Sequence, residues 1–204
     1  MMEQPIIRPV QKTDLPAIQA IYAPFVQESH VSFEYDVPSV VQLRERVQGT
    51  LTYAPWIVCE WNQKVAGYAY AGHHRSRIAY QWSVELSVYV HEGFRRKGVA
   101  QALYISLMAL LRLQGYYNAY IGIALPNAGS VAFHERFGFR PVGVYHGVGY
   151  KQGTWGDVGW WEMAIQPKKD APSPPLSLEE AQKKPTWELA LLAGLSGWRK
   201  PESH

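Results

Sequence analysis

The stretch that most constrains this chain runs from Val84 to Leu113, VELSVYVHEGFRRKGVAQALYISLMALLRL. Within it the apolar period changes once. From Ser83 to Val90 every second residue is apolar, with Val84, Leu86, Val88 and Val90 on one face, the mark of a half-buried strand. From Gly98 the period lengthens to about 3.6, and Val99, Leu103, Leu107 and Leu110 form a helical stripe. Between them His91–Lys97 make a short turn ending in three cations, Arg95, Arg96 and Lys97. A helix opening this way offers free backbone N–H groups and the positive end of its dipole, which suits a phosphate or pyrophosphate. Gly98 removes the side chain where such a group would approach, and the small Ala100 keeps the next position open. Taken without its surroundings, the same segment also reads as a strand-to-helix loop with solvated cations.

A chain of 204 residues, 47% hydrophobic and 18% charged, suits one globular domain with room for an appendage. The net charge of +3 comes without a long basic stripe, so nucleic acid is not indicated as a partner. The single cysteine, Cys59, excludes an internal disulfide, argues against structural zinc, and packs as a small hydrophobe in the strand WIVCEW. His73 and His74 are adjacent, but no carboxylate or cysteine stands at ligand spacing, so no metal is expected. The opening MMEQPIIRPV lacks an apolar signal core and no run reaches spanning length. The expectation is a cytoplasmic protein with no membrane partner.

In chain order, Ile6–Val10 reads as a strand and Thr13 as the cap of a helix carrying Leu15, Ile18, Ile21, Tyr22 and Phe25 inward. Ser39 caps a second helix, with Gln42 placed to complete a capping box. The loop between them, with Phe33, Glu34 and Tyr35, is either a binding-site wall or a hydrophobic staple. Trp56–Trp61 and Val65–Gly72 form a hairpin, followed by a polar connector, HHRSRIAYQW. After the central strand and helix come a strand at Ala119–Ala124, a short helix from about Ala128 to Arg136, and two strands, Val142–Tyr150 and Val158–Ile165. The order β-α-α-β-β-β-α-β-α-β-β implies an α/β fold, a mixed sheet with helices on both faces, and not a Rossmann alternation. Residues 1–166 form the domain, and 167–204 read as a Pro-rich linker and tail. In that tail a short amphipathic helix is expected, with Trp187, Leu189, Leu192 and Leu195 as its apolar side.

The segment RRKGVA resembles the pyrophosphate-binding signature of the GNAT superfamily of N-acetyltransferases. Further stretches, AYQWSVELSVYV, ALPNAGSVAFHERFGF, GYKQGTWGDVGWW and DLPAIQAIYAPFV followed by VSFE, are similar to the phosphinothricin and methionine sulfoximine/sulfone N-acetyltransferases. The resemblance spans roughly residues 5–166 and implies the GNAT fold, with a mostly antiparallel central sheet. It also implies acetyl-CoA as co-substrate, a small amino-acid-like amine as acceptor, and a homodimer. Leu86 and Ala124 depart from the family pattern.

Acetyl transfer from a thioester to an amine needs a deprotonated amine, a polarised carbonyl and a stabilised thiolate. By resemblance Glu85 is the general base, whose bland alternative is a surface carboxylate paired with an arginine. His134 takes the place where the wider superfamily has a thiolate-protonating tyrosine. Val88, Tyr89 and Val90 would offer backbone groups to the pantetheine arm, and the Val88 amide or its neighbour would polarise the acetyl oxygen. Arg95, Arg96, Lys97, Gly98, Val99, Ala100 and Gln101 would cradle the pyrophosphate. Asn127 would bond the cofactor arm, cap a helix, or do both. For the acceptor, the resemblance points to Phe33, Arg75, Arg77, Tyr80 and Val158, with arginine suited to a tetrahedral anionic head. Acetylation of a protein N-terminus or another amine, and a non-catalytic acyl-CoA-binding module, are the competing readings.

Overall fold

The chain alternates short amphipathic strands and helices, and the computed structural model describes residues 4–196 and 198. Its order is β1 (Ile6–Pro9), α1 (Leu15–Gln27), α2 (Val40–Thr50), β2 (Trp56–Trp61), β3 (Lys64–His73), β4 (Ser83–Val90) and α3 (Val99–Gln114). There follow β5 (Asn118–Leu125), α4 (Ala128–Phe137), β6 (Arg140–Lys151), β7 (Thr154–Ala164), α5 (Leu178–Gln182) and α6 (Trp187–Leu192). The seven strands form one sheet in the order β1-β2-β3-β4-β5-β7-β6. Every neighbouring pair is antiparallel except β4 and β5, which are parallel.

The alternation along β4 sorts its side chains between two cores. Val84 and Leu86 are buried under α3, beside Leu103, Leu107, Leu110 and Leu111. On the opposite face Tyr89 packs with Leu15, Ile18 and Ile21 of α1 and Leu43 and Val47 of α2. Burial pushes the Cys59 thiol up to about 12, so it stays protonated and packs as a hydrophobe.

Of two helix caps expected from the sequence, one holds and one changes. Ser39 and Gln42 do form the capping box of α2. Thr13, however, does not cap α1. The chain makes a 3₁₀ turn over Lys12–Asp14, and the Asp14 carboxylate accepts the Gln11 N–H at 2.7 Å and two Arg8 N–H groups at 2.8 Å. A carboxylate that takes three donors at once holds the turn more firmly than a threonine hydroxyl can.

The tail shows a second correction. Leu178, Ala181, Trp187 and Leu191 join the core on α3, whereas Leu189 and Leu192 are 74% and 43% exposed. Trp187 and Leu191 are one turn apart and share a face, and Leu189 and Leu192 fall on the other. Residues 1–3, 197 and 199–204, the ends of the two segments expected from the sequence, lie outside the described residues.

Candidate active site

The site is built where two parallel strands stop pairing. β4 and β5 are in register at Ser83↔Asn118, Val84↔Ala119 and Glu85↔Tyr120, and their pairing ends there among the described residues. β4 continues to Val90 paired with β3, and β5 continues to Leu125 paired with β7. The resulting cleft is lined by Leu86–Tyr89 on one strand and Ile121–Ala124 on the other. Strand edges that diverge in this way leave backbone donors and acceptors for an extended ligand to pair with.

Glu85 is the last residue of β4 paired with β5, at the apex of the parting strands. Its Oε1 lies 3.0 Å from His74 Nδ1 and 3.4 Å from an Arg75 guanidinium nitrogen. The His74 ring stacks on Tyr120, its centroid 4.2 Å away, and meets Tyr80 and Trp160 edge-on at 6.2 Å. Arg75 in turn lies over the Trp160 ring at 5.8 Å. Adjacent histidines on a strand end point to opposite faces, and His73 instead stacks on Tyr53 at 3.7 Å.

Deeper in the cleft are Tyr104 of α3 and His134 of α4, both buried. His134 Nδ1 is 2.8 Å from the Ser130 carbonyl, which can only accept, so the ring proton sits on Nδ1. Nε2 is then the acceptor for the Tyr104 hydroxyl at 3.1 Å. Burial lowers the His134 pKa to about 4 and pushes that of Tyr104 well above its ordinary value. At neutral pH both are uncharged, and the proton between them belongs to the tyrosine. Asn127 lines the same cleft and caps α4, its Oδ1 accepting the Ser130 N–H at 3.1 Å.

The basic turn opens on the same end of the sheet. Arg96 and Gly98 both have positive φ, 59° and 84°, and α3 starts at Val99 with no side chain capping its first turn. That left-handed step is costly for any residue with a Cβ and natural for glycine. Uncapped N–H groups beside an exposed glycine fit an anionic phosphate. Arg95 lies over the Phe25 ring at 5.4 Å, and Lys97 donates to the Gly93 carbonyl at 2.8 Å. Val99 is buried, while Ala100 and Gln101 continue the first turn.

Of the expected acceptor residues, Arg75 and Tyr80 gather around Glu85 through His74. Val158 lies on β7, paired with Ala124, with its Cγ1 3.4 Å from where a Cβ on Gly122 would be, and no contact ties it to the Glu85 cluster among the described residues. Arg77 is exposed at the start of the short 3₁₀ turn Ile78–Tyr80, and its side chain makes no hydrogen bond among the described residues. Phe33 is set apart, its ring wedged against Gly149 and Gly156 of the β6–β7 hairpin. Tyr104, His74 and Lys151 were not singled out from the sequence as site residues. Lys151 is buried at the end of β6, and its Nζ donates to the carbonyls of Val26, Ser29 and Ser32, which holds the Phe33 loop in place. A lysine closing an exposed strand was the only signal available.

The family "Acetyltransferase (GNAT) domain" matches residues 7–160. The phosphinothricin N-acetyltransferase of Streptomyces viridochromogenes is 34% identical over 83% of this chain and 90% of its own length. The L-methionine sulfoximine/L-methionine sulfone acetyltransferase of Pseudomonas paraeruginosa is 30% identical over 81% of this chain and 98% of its own. The solved phosphinothricin acetyltransferase of Sinorhizobium meliloti, in complex with acetyl-CoA, superposes with a TM-score of 0.78 at 26% identity. That comparison covers 86% of this chain and 99% of the other. On the family match and these relatives, this chain belongs to the GNAT superfamily and is an acetyl-CoA-dependent N-acetyltransferase.

Proposed function

We propose that the acceptor is a small amino-acid-like amine with a tetrahedral polar head, of the phosphinothricin, methionine sulfoximine or methionine sulfone type. The observation that carries this reading is the cluster at the parting of β4 and β5. One carboxylate, Glu85, stands with Arg75 inside an aromatic wall of Tyr80, Tyr120 and Trp160. Arginine suits the anionic or strongly polar head, and the rings suit a short methylene chain. The names of the two relatives agree with such an acceptor.

Acetyl-CoA supplies an acetyl thioester as donor. The chain's residues do the rest. Glu85 takes a proton from the acceptor ammonium, directly or through water, with His74 holding the carboxylate in orientation. Backbone N–H groups of Val88–Val90 pair with the pantetheine arm, and the one nearest the thioester polarises its carbonyl. Residues Arg95–Gln101 hold the pyrophosphate, with Asn127 at the arm. Tyr104 turns its O–H from His134 toward the departing sulfur, and His134 acts through that tyrosine.

The resemblance also implies a homodimer, and the edge strand β6 supports it, since Val142, Val148 and Tyr150 are about half exposed there. Sedimentation at micromolar concentration tests that part; a monomer would remove it.

The test is release of CoA thiol from acetyl-CoA with a panel of amines. It contains L-phosphinothricin, L-methionine sulfoximine, L-methionine sulfone, ordinary amino acids, spermidine and a short peptide. Release with the phosphinate, sulfoximine or sulfone, cut roughly 10²–10⁴-fold by Glu85→Gln, is the expected result. Release only with the peptide would discard this acceptor reading and retain the chemistry.

A further inference from the structure

The C-terminal segment lies beyond the family match, which ends at residue 160, yet it reaches the cofactor turn. Leu178, Ala181, Trp187 and Leu191 bury against α3. What sets the segment's position along that helix is Gly194. Its N–H donates to the buried Ser106 Oγ at 3.0 Å. Its Cα approaches α3 so closely that a Cβ would stand 1.9 Å from the Ala102 carbonyl oxygen. Only glycine fits such a backbone contact. Ala102 belongs to the first turn of α3, and its N–H donates to the Gly98 carbonyl at 3.0 Å.

From Gly194 the chain needs four more residues to reach the turn itself. Trp198 N–H donates to the Leu195 carbonyl at 3.1 Å, which closes the segment on itself. The indole meets Trp61 edge-on with centroids 5.4 Å apart. Its Cζ3 and Cη2 lie 3.8 Å from where a Cβ on Gly98 would be. The ring therefore stands beside Gly98, which has no side chain of its own to hold it, and leaves that glycine exposed.

We infer that Trp198, carried on the segment 178–198, is a positioning residue for the cofactor turn, held there by Gly194. This inference rests on the assignment of Arg95–Gln101 as the pyrophosphate cradle. A glycine in the left-handed region has wide conformational freedom, and every conformation it leaves on binding costs affinity. Packing an indole against Gly98 restricts the turn before the anion arrives. The segment thus contributes to acetyl-CoA affinity without touching the acceptor or the reacting atoms.

The experiment measures acetyl-CoA affinity by calorimetry and steady-state kinetics on the full chain, for wild type, Trp198→Ala, Trp198→Phe and Leu189→Ala. Trp198→Ala is expected to raise Kd and KM for acetyl-CoA about three- to tenfold, with kcat and the acceptor KM unchanged. Trp198→Phe restores most of the affinity, and Leu189→Ala, on the exposed face of the same segment, changes nothing. Amide hydrogen exchange at residues 95–100 should quicken in cofactor-free Trp198→Ala. Unchanged acetyl-CoA affinity in folded Trp198→Ala overturns the inference, and so does a loss confined to kcat. Should Trp198→Ala fail to fold, Trp198→Leu carries the same test with the same two outcomes. Gly98→Val separates the two assignments. If it leaves affinity intact, the cradle itself is misassigned; if it weakens binding while Trp198→Ala does not, only the tail's role falls.

Discussion

Tyr104 Oη and His134 Nε2 face each other at 3.1 Å inside the core, one from each of the two helices that flank the cleft. Neither carries a charge at neutral pH, and the tyrosine is the donor. Tyr104→Phe removes the only hydroxyl proton of the pair. It should lower kcat about tenfold while leaving the acetyl-CoA KM near wild type, because in the proposed reaction the hydroxyl serves the departing sulfur and not the bound arm. A rise in KM with unchanged kcat would assign the hydroxyl to ground-state binding.

The buried imidazole has a consequence for stability. Its folded-state pKa is lowered to about 4 from an ordinary 6.5. Between those values the unfolded chain binds a proton that the folded chain does not. Stability from this group is therefore full above about pH 6.5 and falls as pH drops toward 4, by about 3 kcal/mol in all. Urea melts at pH 4.5 and 7 check the sign, and His134→Gln should flatten that part of the profile.

His74 contacts Glu85, the proposed base, at 3.0 Å and stacks on Tyr120. His74→Ala removes both. Turnover should fall about tenfold with acetyl-CoA affinity intact, and Tm should move by only a few degrees. Wild-type turnover would show that Glu85 holds its place without the histidine.

Lys151 satisfies three backbone carbonyls with one ammonium, at 2.6, 2.9 and 2.6 Å. Lys151→Met keeps the stem and leaves the carbonyls without a donor. We expect a loss of about 2–4 kcal/mol in chemical denaturation, since unmatched buried carbonyls retain their desolvation cost. Val31 of the loop that Lys151 holds lines the cleft, so as the loop loosens the acceptor KM should rise and the acetyl-CoA KM should not.

Local period and backbone chemistry were enough to read the strand Ser83–Val90, the basic turn and the helix from Val99. The same holds for Asn127 as a helix cap and the Ser39–Gln42 box. Each of these is decided by residues within about a turn of one another. Glu85 was legible as a carboxylate out of phase with its apolar neighbours, with an arginine as one partner, but not which arginine, nor His74, because both reach it only after β3 and β4 pair. Phe33 was legible as a candidate wall, and its seat against Gly149 and Gly156 was not.

By itself, the sequence determined the order of elements, the position of the basic turn and the residue types available for acyl transfer, because periodicity and left-handed glycine steps are local. Only the tertiary structure decided which of those residues meet. The Tyr104–His134 bond joins positions 30 apart, and the Gly194–Ser106 bond joins positions 88 apart. The same packing set the face the tail buries, since Trp187 and Leu191 found a place on α3 that Leu189 and Leu192 could not share. Contacts at such separations depend on how the sheet and helices fill a common volume, and no window of sequence contains that volume.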